Sequence, residues 1–133
     1  MITNLKTILI VEDEEDIIEI LRISLEFNSS FDVHFAKTGP EGLQKAIILQ
    51  PDLILLDVLM PGMNGLELID ELKIFPETKS IPVAFITSRV LKNEIIEYQR
   101  RGGIGVIEKP FAPLEIAEKI QILWDDFKEE KAL

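Results

Sequence analysis

The sequence predicts an α/β domain in which a doubly wound, five-stranded parallel sheet is flanked by five helices. Strand-sized apolar runs alternate with runs of helical period from end to end, which is the pattern of consecutive β–α–β units. The run at residues 53–56 is wholly apolar, as expected for a strand covered on both faces. With 133 residues, of which 47% are hydrophobic, the chain can bury one core. We expect a single domain over residues 1–133, with its core at about 6–128.

The first half of the chain is predicted to contain three strands and two helices. Strands are expected at residues 7–11, 31–36 and 52–56, and helices at 14–27 and 41–49. Ile17, Ile18, Leu21 and Leu25 have helical spacing in the first helix, and Asn28-Ser29-Ser30 turns the chain into the second strand. Gly39-Pro40 is expected to precede the second helix, which should stop before Pro51.

The second half is predicted to add two strands and three helices. A loop at 58–65 leads into a helix at 66–75, and a loop at 76–80 precedes a strand at 81–86, where Pro82 is tolerated near the first residue. A helix at 90–101 should end at Gly102-Gly103, before a strand at 104–108. The final helix, at 113–128, carries an apolar stripe in which Trp124 is expected to anchor the core. Residues 129–133 are expected to fray.

Composition narrows the class of partner. The formal charge of −10 disfavours nucleic acid and anionic membranes, and points to a protein or a cation. The absence of cysteine excludes disulfides and thiolate sites. The single histidine, His34, lies in a strand-like stretch and is expected to be structural. No segment has the length of a membrane span or the features of a secretion signal, so a cytoplasmic location is expected.

Acidic residues follow two of the predicted buried strands. Five consecutive acids, from Glu12 to Asp16, come directly after the first strand, and Asp57 ends the third. Carboxylates placed together repel one another, so the arrangement is costly unless a cation or proton offsets the charge. The acids Glu14, Glu15 and Asp16 also suit the positive end of a helix dipole. The helix dipole does not account for Asp57.

Five side chains are predicted to converge at the carboxyl edge of the sheet, where doubly wound folds bind ligands. They are Glu12, Asp13, Asp57, Thr87 and Lys109. Oxygen ligands favour Mg²⁺, whereas the ligands that zinc prefers are lacking. A carboxylate such as Asp57 can attack phosphorus, while the metal and Lys109 neutralise phosphoryl oxygens and the Thr87 hydroxyl donates to one. Taken singly, Thr87 also suits a helix N-cap, Lys109 a solvated lysine and Asp57 a turn cap.

The chain resembles the receiver domain of two-component response regulators over essentially its whole length, a family with a flavodoxin-like fold. The matching stretches are ILIVED at 8–13, DLILLD at 52–57, MPGMNG at 60–65, IPV at 81–83, TS at 87–88 and KPF at 109–111. The resemblance implies a signalling domain, not an enzyme in the ordinary sense. It implies that Asp57 accepts a phosphoryl group from a phosphohistidine on a sensor kinase or phosphotransfer protein. The domain would catalyse its own phosphoryl transfer and dephosphorylation.

The resemblance also assigns the site residues. It implies Mg²⁺ held by Asp13, Asp57 and the backbone carbonyl of Leu59, with Glu12 acting through water. Lys109 would bind a phosphoryl oxygen, and the Lys109–Pro110 bond would be cis.

Three departures from the family pattern bear on the switch. Val106 stands where a Tyr or Phe is usual, and valine is too small and stiff to be a large rotor. We therefore expect the signal to pass through Thr87 into the helix at 90–101. Gly103-Ile104-Gly105 replaces a common acidic pair, and the final helix has no arginine, which disfavours a charged dimer face. Leu59 and Arg89 flank the site and are expected to shield the acyl phosphate, which gives a long-lived phosphoryl state.

These observations favour a stand-alone phosphorylation-switched protein without direct contact to nucleic acid or membrane. Its output is expected to be a contact with a downstream protein through the helix at 90–101, the fifth strand and the last helix. Lys92 and Tyr98 are candidate surface contacts. A receiver fragment of a longer regulator and a phosphorylation-independent binding module remain as alternatives. Two other classes are disfavoured. A haloacid-dehalogenase-like phosphatase would need an Asp at position 59, where this chain has Leu59. A flavin binder would need a Ser/Thr/Gly loop after the first strand, where this chain has acids.

Overall fold

A computed structural model describes residues 4–88 and 92–132. In this part of the chain, five parallel strands form one sheet in the order β2-β1-β3-β4-β5. Five helices connect and follow the strands. The elements are β1 Thr7–Val11, α1 Glu15–Asn28, β2 Asp32–Ala36, α2 Gly39–Leu49, β3 Leu53–Asp57, α3 Gly65–Leu72, β4 Val83–Thr87, α4 Lys92–Arg100, β5 Gly103–Glu108 and α5 Ile116–Ala132. The predicted fold class is confirmed.

Several predicted boundaries were wrong for local reasons. Helix α2 begins at Gly39, because the Thr38 side chain caps it by accepting a hydrogen bond from Glu41 N, and Pro40 is favourable in a first helical turn. Helix α3 ends at Leu72, not at residue 75. Gly103 belongs to β5, although it was expected to end the preceding helix.

The ends of the last two helices also differ from the prediction. Helix α5 begins at Ile116 and continues to Ala132, so the expected loss of helix from residue 129 is wrong as far as Ala132. Helix α4 begins at Lys92 among the described residues. The predicted start at 90 lies outside them, as does Arg89.

The core consists of two apolar layers, one on each face of the sheet, because successive residues of a strand point to opposite faces. In β1, Leu9 and Val11 join the layer under α2, α3 and α4, whereas Ile8 and Ile10 join the layer under α1 and α5. Trp124 of α5 is 2% exposed in the second layer, which confirms its expected role in the core. Among the described helices, none combines the length and apolar composition needed to cross a lipid bilayer.

The strand order places a topological switch point between β1 and β3. From β1 the sheet extends to β2 on one side and to β3, β4 and β5 on the other. Ligands of doubly wound sheets bind beyond the carboxyl ends of the strands at such a point. Val11 pairs with Leu56, so the acids that follow them come together at this edge. In the edge strand β2, His34 Nε2 lies 3.1 Å from Asp32 Oδ2.

Candidate functional site

Three carboxylates meet where β1 and β3 end. Glu12 is fully buried, Asp57 is 2% exposed and Asp13 is half-buried. Each offers an oxygen, and the three oxygens lie within 4.8 Å of one another. The register of β1 against β3 brings together acids that are 44 and 45 positions apart in the chain.

Lys109 closes the cluster from the end of β5. Its Nζ lies 2.6 Å from Glu12 Oε1, 3.4 Å from Asp57 Oδ2 and 3.5 Å from Glu14 Oε1. Its side chain is only 10% exposed, so it is not a solvated surface lysine. The backbone N–H of Lys109 donates to the Thr87 carbonyl at 2.8 Å, and the Lys109–Pro110 bond is cis, as the resemblance implied.

Burial and the neighbouring charges shift the pKa of two groups in the cluster. Burial, reinforced by the neighbouring Asp57, raises the pKa of Glu12 to about 7, although Lys109 opposes the rise. Burial alone would lower the pKa of Lys109, but Glu12, Asp57 and Glu14 raise it overall. The Lys109 ammonium contacts the carboxylates of Glu12, Asp57 and Glu14, and Asp13 adds a further carboxylate, so the ionised cluster retains negative charge that a divalent cation would offset.

The carboxylate oxygens that accept no hydrogen bond also suit a hard cation. Glu12 Oε2 accepts from the backbone N–H groups of Asp13, at 3.0 Å, and Glu14, at 3.3 Å. Within the described residues, Asp13 Oδ1 is buried but accepts no hydrogen bond. Buried carboxylate oxygens are ordinarily paired or bound to a metal. This oxygen and the neighbouring carboxylates therefore form a donor set that fits Mg²⁺.

Asp57 is held by the loop that follows it. Its Oδ1 accepts a hydrogen bond from the backbone N–H of Leu59 at 3.1 Å. The Leu59 side chain is 58% exposed and borders a cavity of about 230 Å³ that is also lined by Thr87. Thr87 is fully buried at the end of β4, next to Asp57 in the sheet, because Asp57 pairs with Ile86.

Sequence reasoning missed two side chains near this edge. Glu14 was assigned only to the helix dipole, but its carboxylate also faces Lys109. Tyr98 was expected at the surface, and this was wrong because it is 4% exposed and packs against Phe85. Its spacing of three from Ile95 was the available signal, since residues at i and i+3 share a helix face. Lys92 is exposed, as expected.

The fold and this constellation define a receiver domain. Residues 8–121 match the family model of the response regulator receiver domain, and the chain therefore belongs to this family. Phosphorylation and dependence on Mg²⁺ are general properties of these two-component signalling domains.

The relatives agree with this assignment. The chain is 33% identical to the alkaline phosphatase synthesis transcriptional regulatory protein PhoP of Bacillus subtilis, over 89% of this chain and 48% of that protein. It is 34% identical to the phosphate regulon transcriptional regulatory protein PhoB of Pseudomonas aeruginosa, over 87% of this chain and 50% of that protein. The chain thus spans about half the length of the curated relatives it matches.

A solved structure shows the same fold over nearly its whole length. The chemotaxis protein CheY4 of Vibrio cholerae superimposes with a TM-score of 0.83 at 27% identity, covering 90% of this chain and 99% of CheY4. A putative response regulator from Chloroflexus aurantiacus gives a TM-score of 0.81 at 29% identity, covering 92% of this chain and 99% of that one.

Proposed function

We propose that Asp57 is the phosphoacceptor of a two-component phosphorelay and that its phosphorylation changes the protein contacts of a single receiver domain formed by residues 1–133. The donor is a phosphohistidine on a sensor kinase or phosphotransfer protein. The observation that carries the proposal is the buried Asp57 carboxylate, which lies beside two further carboxylates and the Lys109 ammonium. That arrangement combines a nucleophile with groups that neutralise charge.

The transfer itself exchanges one bond for another. A carboxylate oxygen of Asp57 bonds to phosphorus as the P–N bond of the phosphohistidine breaks, and the imidazole leaves with the bonding electron pair. When bound, Mg²⁺ would neutralise negative charge on the phosphoryl oxygens and on the carboxylates. Asp13, Asp57 and the Leu59 carbonyl would hold it directly. Glu12 would act through water, because one of its oxygens already contacts Lys109 and the other accepts two backbone N–H groups.

Lys109 and Thr87 complete the phosphoryl site. The raised pKa of Lys109 keeps its ammonium charged, and its distance of 3.4 Å from Asp57 places it within reach of a phosphoryl oxygen on that residue. The Thr87 hydroxyl would donate to another oxygen from the adjacent strand end. Leu59 would limit the access of water to the acyl phosphate. The same role was expected of Arg89, which lies outside the described residues.

The test is the intact mass after incubation with Mg²⁺ and acetyl phosphate. The parent should gain one phosphoryl group, whereas Asp57→Asn and the parent treated with a chelator should gain none. Asp126→Asn, which changes an exposed acid on α5, should gain the group normally and is the matched control. An unmodified parent, with acetyl phosphate and with a range of histidine kinases, would refute the proposal and favour a phosphorylation-independent binding module.

One observation favours a second candidate. The regulators PhoP and PhoB are about twice the length of the region they share with this chain. In the alternative, the domain is the receiver part of a longer regulator, and the contact that phosphorylation changes is with an attached output domain. The mass of the natural protein distinguishes this alternative from a stand-alone receiver, which would carry its signal to a separate protein through α4, β5 and α5.

A further inference from the structure

Glu14 lies at the N-cap position of α1, but among the described residues its side chain makes no capping hydrogen bond there. Its backbone is fixed on both sides, since Glu14 N donates to Glu12 Oε2 at 3.3 Å and the Glu14 carbonyl accepts from Ile18 N at 3.0 Å. The carboxylate lies instead beside Lys109, with Oε1 3.5 Å from Nζ. The Glu14 side chain therefore contacts the end of β5 and does not cap its own helix.

Lys109 is shared by three carboxylates that differ in their exposure to solvent. Its Nζ lies 2.6 Å from Glu12 Oε1 and 3.4 Å from Asp57 Oδ2, and both of these acids are buried. The Glu14 side chain, in contrast, is 61% exposed. The group of close oxygens that fits a metal ion consists of Glu12, Asp13 and Asp57. Glu14 is therefore the partner that lies on the solvent side of the ammonium and outside the metal-binding group.

A divalent cation among these carboxylates would conflict with the present position of the ammonium. Like charges repel, and the repulsion is strong where burial lowers the local dielectric constant. The ammonium lies 3.4 Å from an oxygen of Asp57, one of the carboxylates that the cation would need. The main chain of Lys109 is held in place, because its N–H donates to the Thr87 carbonyl at 2.8 Å. Only the long, flexible side chain can carry the positive charge away from the cation.

We propose that Glu14 is a positioning residue, which holds the Lys109 ammonium on the solvent side of the carboxylate cluster when the cluster binds Mg²⁺, and thereby increases the affinity for the ion. This inference rests on the Mg²⁺ site of the proposed function. Glu12 and Asp57 release the ammonium as they turn to the ion, and Glu14 remains beside it as the counter-charge. Without Glu14, the ammonium would compete with Mg²⁺ for the two buried carboxylates.

Calorimetric titration of the whole chain with Mg²⁺ alone tests this role, at a fixed pH above the Glu12 pKa of about 7. Glu14→Gln removes the counter-charge and should lower the affinity about fourfold, which is near the upper range for a partly exposed ion pair. Glu15→Gln is the matched control, because it removes the neighbouring acid, which is exposed and pairs with Lys37. In about 0.15 M salt, its affinity should stay within about 1.5-fold of the parent, since distant exposed charges are screened.

A second pair of variants tests whether Glu14 acts through Lys109. In a Lys109→Gln background no ammonium remains to be held, so Glu14→Gln should change the affinity by less than about 1.5-fold. The full loss in that background would overturn the inference, because Glu14 would then act on the ion without Lys109. Equal affinities of Glu14→Gln and the parent, or an equal loss in Glu15→Gln, would overturn it too. These two comparisons involve only exposed positions, so they decide the matter even if Lys109→Gln does not fold.

Intact mass after incubation with acetyl phosphate separates this inference from the proposed function. A parent that shows the expected difference between Glu14→Gln and Glu15→Gln in Mg²⁺ affinity, but gains no phosphoryl group, would refute the phosphoacceptor role of Asp57 and support the role of Glu14. A parent that gains the phosphoryl group while Glu14→Gln binds Mg²⁺ as tightly as the parent would overturn the inference alone. A parent that binds no Mg²⁺ would refute the metal site, and the inference with it.

Discussion

The two halves of the sheet edge differ in how firmly they are packed. At the acidic half, β3 is buried at all five positions and β1 at four of five, and their register is regular. At the half formed by β4 and β5, β4 is buried at all five positions, but β5 is only partly covered at its first four. The pairing of β4 with β5 also has a register shift between Val83 and Phe85. Two cavities border Tyr98, of which one lies between α4 and β5 and the other also borders Val58 and Leu59 after β3.

This difference in packing corresponds to two separate requirements of a phosphorylation switch. Phosphoryl transfer needs positioned groups, which the tightly packed β1 and β3 provide. A response needs an element that can adopt two arrangements, and sparse packing lowers the cost of the second. The acids therefore follow strands that are buried at nearly every position, whereas β5 is only partly covered over most of its length.

The largest expected effect is on stability. Ile54→Ala in β3 removes a fully buried side chain and should lower the free energy of unfolding by about 4 kcal/mol. The matched change in β5, Ile104→Ala, affects a half-buried side chain and should cost about 1.5 kcal/mol. Unfolding in urea measures both. Equal losses would contradict the difference in packing.

Mg²⁺ should stabilise the domain through the acidic half. At a free concentration ten times the dissociation constant, it should add about 1.4 kcal/mol, which corresponds to about 4 °C in Tm. Asp57→Asn should lose most of this increase and Asp126→Asn should keep it, as thermal unfolding with and without Mg²⁺ would show. A similar increase in all three proteins would place the ion elsewhere.

Affinity for Mg²⁺ should depend on the protonation of Glu12. Since its folded-state pKa of about 7 lies above the ordinary 4.5, the folded protein holds an extra proton between these values. The stability that this proton contributes is present below pH 4.5 and is lost as the pH rises to 7. Mg²⁺ competes with the proton, so affinity should fall about fivefold from pH 7 to pH 6. Calorimetric titration checks this, and Glu12→Gln should show a flatter profile.

The smallest effect should come from the exposed side chain beside the site. Leu59→Asn should shorten the lifetime of the acyl phosphate by about threefold, because a polar side chain admits and orients water where leucine excludes it, and threefold is under 1 kcal/mol of barrier. The loss of phosphoryl mass with time measures it. Ile48→Asn, at an exposed aliphatic residue of α2, should leave the lifetime unchanged. An unchanged lifetime in Leu59→Asn as well would contradict the shielding role.

Much of the fold could be predicted because its signals are local. The apolar runs of β1 and β3 are continuous, and parallel topology then brings Glu12, Asp57 and Lys109 to one edge whatever the loops do. Helix limits were harder, since the start of α2 depends on one hydrogen bond from Glu41 N to the Thr38 side chain. The hydrogen bond and ion-pair geometry of the site also required the structure, because Lys109 reaches Glu14 only through the final arrangement of β5.

The burial of Tyr98 was indicated in the sequence only by its spacing of three from Ile95. Helix α4 is rich in polar residues, and its two isoleucines, Ile95 and Ile96, point in different directions; Ile96 is 53% exposed. The face of α4 that meets the sheet is set by contacts with Phe85 and the backbone at Gly103, which lie on other elements. Burial of a single aromatic residue on such a helix is therefore a tertiary property.

The loop that follows Asp57 is anchored at both ends, because its last residue contacts the backbone of its first. Gly65 N donates to the Val58 carbonyl at 3.1 Å, and a Cβ at Gly65 would lie 2.6 Å from the Asp57 carbonyl oxygen, so helix α3 starts directly against the end of β3. Asn64 and Glu67 form a capping box that holds this start in place. Because both ends are anchored, we expect that exchange of exposed side chains such as Leu59 and Pro61 would not displace Asp57. If Asp57 is the phosphoacceptor, as proposed, exchange of exposed side chains in this anchored loop should change the lifetime of the acyl phosphate and leave the phosphoryl transfer unchanged.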